Sequence, residues 1–325
     1  MRALSGVQPS GKIHIGNYFG AIRQYVQLQE EHEGFFFIAN YHALTTIRNA
    51  AEMRQQTLDL AADYIALGLD PQKATIFAQS DVPEVTELTW VLSTVTPMGL
   101  LERCHAYKDK IAQGIPADHG LFAYPVLMAA DILIYDSNLV PVGQDQKQHV
   151  EVTRDIAMRF NSTYGEALVV PEPYILEDTA TVLGVDGRKM SKSYDNTICI
   201  FDSEKETRKR IMGIVTDSTP LEDPKDPETC SVFALYSLFA DQNQRQQMSD
   251  RYRAGGMGYG DAKKALLEAF MEQFGEARKR REELAGDMGY VVDVLKQGAT
   301  KARAVARQTM QRVRQACGVD IGTTD

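Results

Sequence analysis

Gln8-Pro9-Ser10-Gly11-Lys12-Ile13-His14-Ile15-Gly16-Asn17 stands close to the N-terminus, between two stretches of different periodicity. Before it, Ala3-Leu4-Ser5-Gly6-Val7 is a short apolar run of the kind that forms a buried strand. After it, Phe19, Ile22, Tyr25, Val26 and Leu28 recur at helical spacing, which predicts a helix from Tyr18 to about Gln29. The stretch therefore occupies a strand–loop–helix corner. Free N–H groups and the dipole at a helix N-terminus favour an anion there. Gly11 and Gly16 carry no Cβ, so a phosphate or a flat base can approach the backbone. His14 adds a donor at the helix start. Taken alone, the corner reads equally as a glycine-bearing turn with an exposed histidine.

Working outward, Phe35-Phe36-Phe37-Ile38-Ala39 is a second short apolar run, and Ala74-Thr75-Ile76-Phe77-Ala78 a third. Helical patterns from Ala51 to Leu67 and from Glu84 to Leu101 alternate with them, the latter broken near Pro97. This alternation predicts an α/β fold with a Rossmann-like, doubly wound parallel sheet. Such sheets bind ligands at the carboxyl ends of their strands, which makes His42, just beyond the second strand, a candidate. Beyond residue 200 the pattern is helical: Glu204–Ile214, Val232–Ala240, Ala262–Phe274 and Val291 to about Cys317. The expected division is a Rossmann-like domain over residues 1–200 and an all-α domain over 201–325, whose last helix has the option of packing back on the first.

Gly187-Arg188-Lys189-Met190-Ser191-Lys192-Ser193 lies far from the first motif, after a short run, Thr181-Val182-Leu183, read as a last strand. Two lysines three residues apart, with serines between and beyond them, suit a clamp on a polyphosphate. In isolation the loop reads as solvated surface. Together the two stretches resemble the His-Ile-Gly-His and Lys-Met-Ser-Lys-Ser signatures of class I aminoacyl-tRNA synthetases. The first is here His14-Ile15-Gly16-Asn17, the form usual in the tryptophanyl branch, and Lys189 to Ser193 matches throughout. The resemblance implies an ATP site made by Gln8, Pro9, Ser10, Gly16 and Asn17 on one side. Lys189, Met190, Ser191, Lys192 and Ser193 form the other side, and Val182 meets the adenine through its backbone. Gln8, His14, Lys189 and Lys192 are the residues it marks as catalytic. Gly143-Gln144-Asp145-Gln146-Lys147-Gln148-His149, a polar loop by pattern alone, resembles a family stretch that holds the ATP ribose and the polar end of the amino acid. Gly143, Gln144 and Asp145 fall to the nucleotide and Gln146 to the amino acid.

Tyr124 to Tyr135 is a helical segment with Pro125 suited to a first helical position. Tyr124, Met128, Asp131, Ile132 and Tyr135 share one face. A carboxylate on so apolar a face needs a donor, from the backbone, an arginine or a ligand. Indole offers one edge donor and no acceptor, so a buried Asp131 would select it over phenyl, with Met128 as a soft wall. This segment resembles the tryptophan pocket of the tryptophanyl branch, which implies amino-acid contacts from Tyr124, Met128, Asp131, Ile132 and His42.

Composition sets bounds. The 325 residues carry a net charge of −9, which runs against a nucleic-acid partner unless a local basic face provides for it. Arg278, Lys279, Arg280 and Arg281, with Lys301, Arg303, Arg307, Arg312 and Arg314, are the candidate contacts to tRNA phosphates. Cys104, Cys199, Cys230 and Cys317 are scattered, which fits a reducing compartment and speaks against a protein-held metal. No apolar run approaches the roughly 18 residues of a membrane span, and the N-terminus shows no signal-peptide pattern. The expectation is a cytoplasmic protein. The resemblance further implies L-tryptophan, ATP with Mg2+ and tRNA(Trp) as partners, and a homodimer. A tyrosine-specific enzyme and a non-catalytic paralogue are the alternatives.

Overall fold

The computed structural model describes residues 1–104, 118–142, 147–175 and 181–322. Five parallel strands, β1 (Arg2–Val7), β2 (Glu33–Ile38), β3 (Ala74–Ala78), β4 (Leu139–Val142) and β5 (Glu172–Ile175), form one sheet in the order β3-β2-β1-β4-β5. The winding reverses between β1 and β4, which opens a crevice at their carboxyl ends. The strands alternate strictly. Ala3, Phe36, Ile38 and Ile76 enter one core, and Leu4, Phe35, Phe37 and Phe77 enter the other. Both faces are covered by helices, as parallel strands with apolar side chains on each face require. The first core continues without a break into the helices after residue 200, through Ile211, Val232, Leu266 and Phe270.

Four elements differ from the sequence reading. The helix after the first motif is not uniform: a short α-turn Ile15–Asn17 passes into a π-turn Tyr18–Ile22 and then the α-helix Arg23–Glu31. Pro125 does not start its helix. That helix runs His119–Leu133, capped by the Asp118 carboxylate accepting from the Leu121 N–H at 2.9 Å, with Pro125 inside it. The last strand is Glu172–Ile175, while Leu183 makes only an isolated antiparallel bridge to Lys189. Gln242–Ala254 is a helix that the apolar pattern did not announce.

The C-terminal helix Met288–Cys317 begins in one core, with Val291 and Leu295, and ends in the other, with Ala302, Ala306 and Met310. It changes face by passing the edge strand β3. At the crossing Gly298 meets the β3 backbone so closely that a Cβ would lie 1.8 Å from the Ile76 carbonyl oxygen. Only glycine fits there. The helix is also tied by charge: Arg303 and Arg307 to Glu84 at 2.8 and 3.3 Å, and Arg312 and Arg314 to Asp136 and Glu87 at 2.5 Å each. Arg281 pairs with Asp59 and Asp63 at 2.8 and 2.7 Å, and Arg278 donates to the carbonyls of Ile200 and Asp202. Six of the nine cations considered for tRNA thus also have partners within the chain, although the Arg307 side chain stays 66% exposed. Lys279 pairs with Glu276 on the surface, and Arg280 and Lys301 are exposed.

Candidate active site

A cleft of about 1130 Å³ opens over the carboxyl end of β1. Its floor is the first motif. Ile15 N–H donates to the Ile198 carbonyl, and Ile200 N–H to the Ile13 carbonyl, each at 3.0 Å. The motif and the segment after the lysine loop are therefore stitched backbone to backbone. Lys192 completes the closure by donating to the Ser10 carbonyl at 2.9 Å, the Gly11 carbonyl at 3.1 Å and Ser10 Oγ at 3.3 Å. Partial desolvation of its ammonium pushes the Lys192 pKa down. His14 caps the short turn, its N–H donating to Asn17 Oδ1 at 3.2 Å. The imidazole folds back over Gly16, where a Cβ would sit 2.9 Å from Nδ1 and push the ring aside. His14 is 6% exposed, and burial, aided by the Lys192 charge, lowers its pKa to about 4. The ring is neutral at physiological pH.

The lysine loop owes its shape to a residue the sequence reading passed over. Asn196, 1% exposed, accepts from the Ser191 N–H at 2.8 Å and donates to the Asp186 carboxylate at 2.7 Å and the Lys189 carbonyl at 3.1 Å. Gly184 has no side chain because Asn196 Nδ2 would lie 2.2 Å from its Cβ. Immediately before Asn196, Asp195 adopts φ 48°, and Arg210 fixes it with bonds of 2.8 Å to its carbonyl and 2.6 Å to its carboxylate. Met190 is buried under the loop, and its N–H donates to the Val182 carbonyl at 2.8 Å.

At the other end of the cleft, Asp131 projects from the helix His119–Leu133 and is 2% exposed. His42 Nε2 lies 2.8 Å from its Oδ2, and Gln79 Nε2 lies 2.8 and 2.9 Å from its two oxygens. Burial raises the Asp131 pKa, and the His42 and Gln79 contacts oppose the rise. Met128 and Ile132 line the same wall. Tyr124 Oη meets His149 Nε2 at 2.9 Å across the rim.

The cleft brings together Gln8, Ser10, His14, Gly16, Asn17, Val182, Lys189, Met190, Ser191 and Lys192 on the motif side. His42, Tyr124, Met128, Asp131 and Ile132 line the opposite side. Pro9 is buried and Ser193 turns to Ser191 Oγ at 2.8 Å, so neither lines the cleft. Tyr135 leaves the expected face as well: it is buried against Phe35 and Phe77. Gly143, Gln144, Asp145 and Gln146 lie outside the described residues. Gln79 and Asn196 were missed. Gln79 had one usable signal, its place directly after an apolar strand; Asn196 had none.

Cations at one end and, among the described residues, one buried carboxylate at the other suit a ligand pair with a polyanion and an apolar ring bearing one donor. The chain matches the family model for class I tRNA synthetases (W and Y) over residues 1–275 and belongs to that family. The tryptophan–tRNA ligase of Fusobacterium nucleatum is 56% identical over 319 residues, which cover 98% of each chain. That of Rhodopirellula baltica is 57% identical over 98% of this chain and 100% of its own. A crystal structure of tryptophanyl-tRNA synthetase from Campylobacter jejuni, complexed with ADP and tryptophan, matches with a TM-score of 0.92 and 53% identity. The match covers 98% of this chain and 100% of that one.

Proposed function

We propose that the chain is a tryptophan–tRNA ligase. The tryptophan carboxylate attacks the α-phosphorus of ATP, forming tryptophanyl-adenylate and expelling pyrophosphate. A hydroxyl of the terminal tRNA ribose then attacks the activated carbonyl, giving tryptophanyl-tRNA and AMP. The observation that carries this reading is the buried Asp131 facing the same cleft as Lys189 and Lys192. Neither step needs a covalent enzyme intermediate, so catalysis rests on positioning and on charge placed where charge develops. Gln8, Ser10, Gly16 and Asn17 hold the nucleotide, and neutral His14 donates or accepts beside it without adding charge. Lys189 and Lys192 take the departing pyrophosphate, Asp131 accepts the indole N–H, and Met128 and Ile132 flank the ring. Gly143, Gln144 and Asp145 are assigned to the nucleotide, and Gln146, Tyr124 and His42 to the amino acid. Among the described residues no group of three or more His, Cys, Asp or Glu side chains is placed to hold a metal ion.

The reading extends to tRNA(Trp) as acceptor and, since charging occurs where translation does, to a cytoplasmic location. It also extends to a homodimer. Trp90, the single tryptophan, is 74% exposed and Met98, on the next helix, is 63% exposed, apolar side chains that a second copy would cover. Light scattering should give twice the 36.2 kDa chain mass, and Trp90→Ser should shift the particle towards monomer.

Pyrophosphate exchange with tryptophan and with tyrosine, side by side, tests the activity. Exchange with tryptophan alone is expected, and exchange only with tyrosine overturns the assignment. Lys192→Ala should leave tryptophan binding without ATP nearly intact and slow single-turnover adenylate formation about 10²-fold, the scale for losing one preorganised donor. A defect confined to the tRNA step would contradict the role given to Lys192.

A further inference from the structure

Gln79 is fully buried at the end of β3 and is not among the residues lining the cleft, yet its amide reaches both oxygens of Asp131, the carboxylate that lines it among the described residues. Its orientation is fixed from behind. Gln79 Oε1 accepts from the Tyr41 N–H at 2.9 Å, which commits the acceptor end of the amide. The amide nitrogen must therefore face Asp131, where it sits 2.8 and 2.9 Å from the two oxygens. Tyr41 belongs to the turn Asn40–Ala43 after β2, and the neighbouring pair Asn40–Ser80 ties the same two strand ends at 2.8 and 3.0 Å. The carboxyl ends of β2 and β3 thus form a rigid backing for a side chain that arrives from a different helix.

We infer that Gln79 is a positioning residue for amino-acid selection, holding the Asp131 carboxylate ionised and aimed so that an acceptor position is presented to the indole N–H. This rests on Asp131 as the indole acceptor. A carboxylate has about four lone-pair positions. His42 occupies one on Oδ2, and the Gln79 N–H lies between the two oxygens. What is left on Oδ1 is an acceptor site with no competing donor from these two residues. Without Gln79 the burial that raises the Asp131 pKa would be opposed by His42 alone. A protonated or swivelled carboxyl is a poor partner for a group that can only donate.

The test compares L-tryptophan with L-3-benzothienylalanine, in which sulfur replaces the indole N–H at almost the same size. Binding of both to the full chain is measured by titration calorimetry for the parent, Gln79→Met, Gln79→Glu and Asp131→Asn. The parent should prefer tryptophan by tenfold or more, the scale of a hydrogen bond to a charged group. Gln79→Met removes the donor and should lower that preference about tenfold, through weaker tryptophan binding, with benzothienylalanine within about twofold. Gln79→Glu keeps an acceptor for the Tyr41 N–H, so the β2–β3 tie survives even if Met disturbs it. It faces Asp131 with a like charge or a shared proton, and should lower the preference at least as far. A parent-like preference in either folded variant, or equal losses for both ligands, overturns the positioning role. A parent-like preference in Asp131→Asn would instead remove the indole contact on which the inference stands.

Discussion

His14 shows how one residue can be both a structural and a chemical constraint. Its ring is buried over Gly16 and beside Lys192, and its pKa falls from 6.5 to about 4, chiefly through burial. Charging it in the folded state therefore costs about 3 kcal/mol more than in the unfolded chain. The folded pKa lies below the unfolded one, so as pH falls from 6.5 towards 4 the unfolded state takes up the proton first and stability drops. Urea unfolding at pH 7 and 4.5 should show this loss in the parent and about 2–3 kcal/mol less of it in His14→Gln. Asp63, pushed up to about 6 by burial despite Arg281, acts with the opposite sign but is common to both proteins and cancels. Identical pH dependence in parent and variant would mean that His14 is not held neutral. The motif residues were legible because their spacing from each other is fixed by the chain itself. Gln79 was not, since its work is done on Asp131, a residue of another helix, through a fold the pattern only outlines.

Elements were legible where the apolar period was strong and obscure where a local rule competed with the tertiary structure. Pro173 lies within β5, and a proline argues against a strand; β5 is the outer strand of the sheet, where a missing N–H is tolerated. Pro125 suggested a helix start because proline suits the first turn, but Asp118 had already capped the helix upstream. Gln242–Ala254 buries only Met248, Ser249 and Tyr252, too few apolar positions to form a stripe. The lysine loop belongs with these elements, since a side chain just outside its signature, Asn196, keeps its form. Asn196→Ala would leave the part-buried Ser191 N–H and Lys189 carbonyl without that partner, at about 1–3 kcal/mol for an unsatisfied group. The loop should then populate open forms, and stopped-flow adenylate formation should slow by about tenfold. Tryptophan binding without ATP should stay within about twofold. Equal damage to both would make Asn196 a general stability residue rather than the keeper of this loop.

At the scale of the whole molecule the net charge of −9 sets the hardest condition, because the proposed acceptor is a polyanion. The structure narrows where a basic face can lie. Arg303, Arg307, Arg312 and Arg314 hold the C-terminal helix against Glu84, Asp136 and Glu87, and Arg281 is committed to Asp59 and Asp63. A cation already neutralised by a neighbour releases few counterions on meeting a phosphate. Arg280 and Lys301 are exposed and meet that requirement. Charge reversal at Arg280 and Lys301 should weaken tRNA binding and flatten its dependence on salt, by a slope of about 0.9 for each phosphate no longer neutralised. Tryptophan-dependent pyrophosphate exchange should stay near the parent value, since its interactions are short-range and enclosed. Arg281→Glu should behave differently. It sets a third carboxylate against buried Asp63 and Asp59, so the thermal midpoint should fall and exchange and tRNA binding should decline together. Titrating tRNA across a salt series for the three proteins separates the two kinds of cation. If Arg280→Glu with Lys301→Glu keeps the parent slope, these residues are not the tRNA face; if Arg281→Glu changes the slope while its thermal midpoint holds, the pairing with Asp59 and Asp63 is not what that arginine is for.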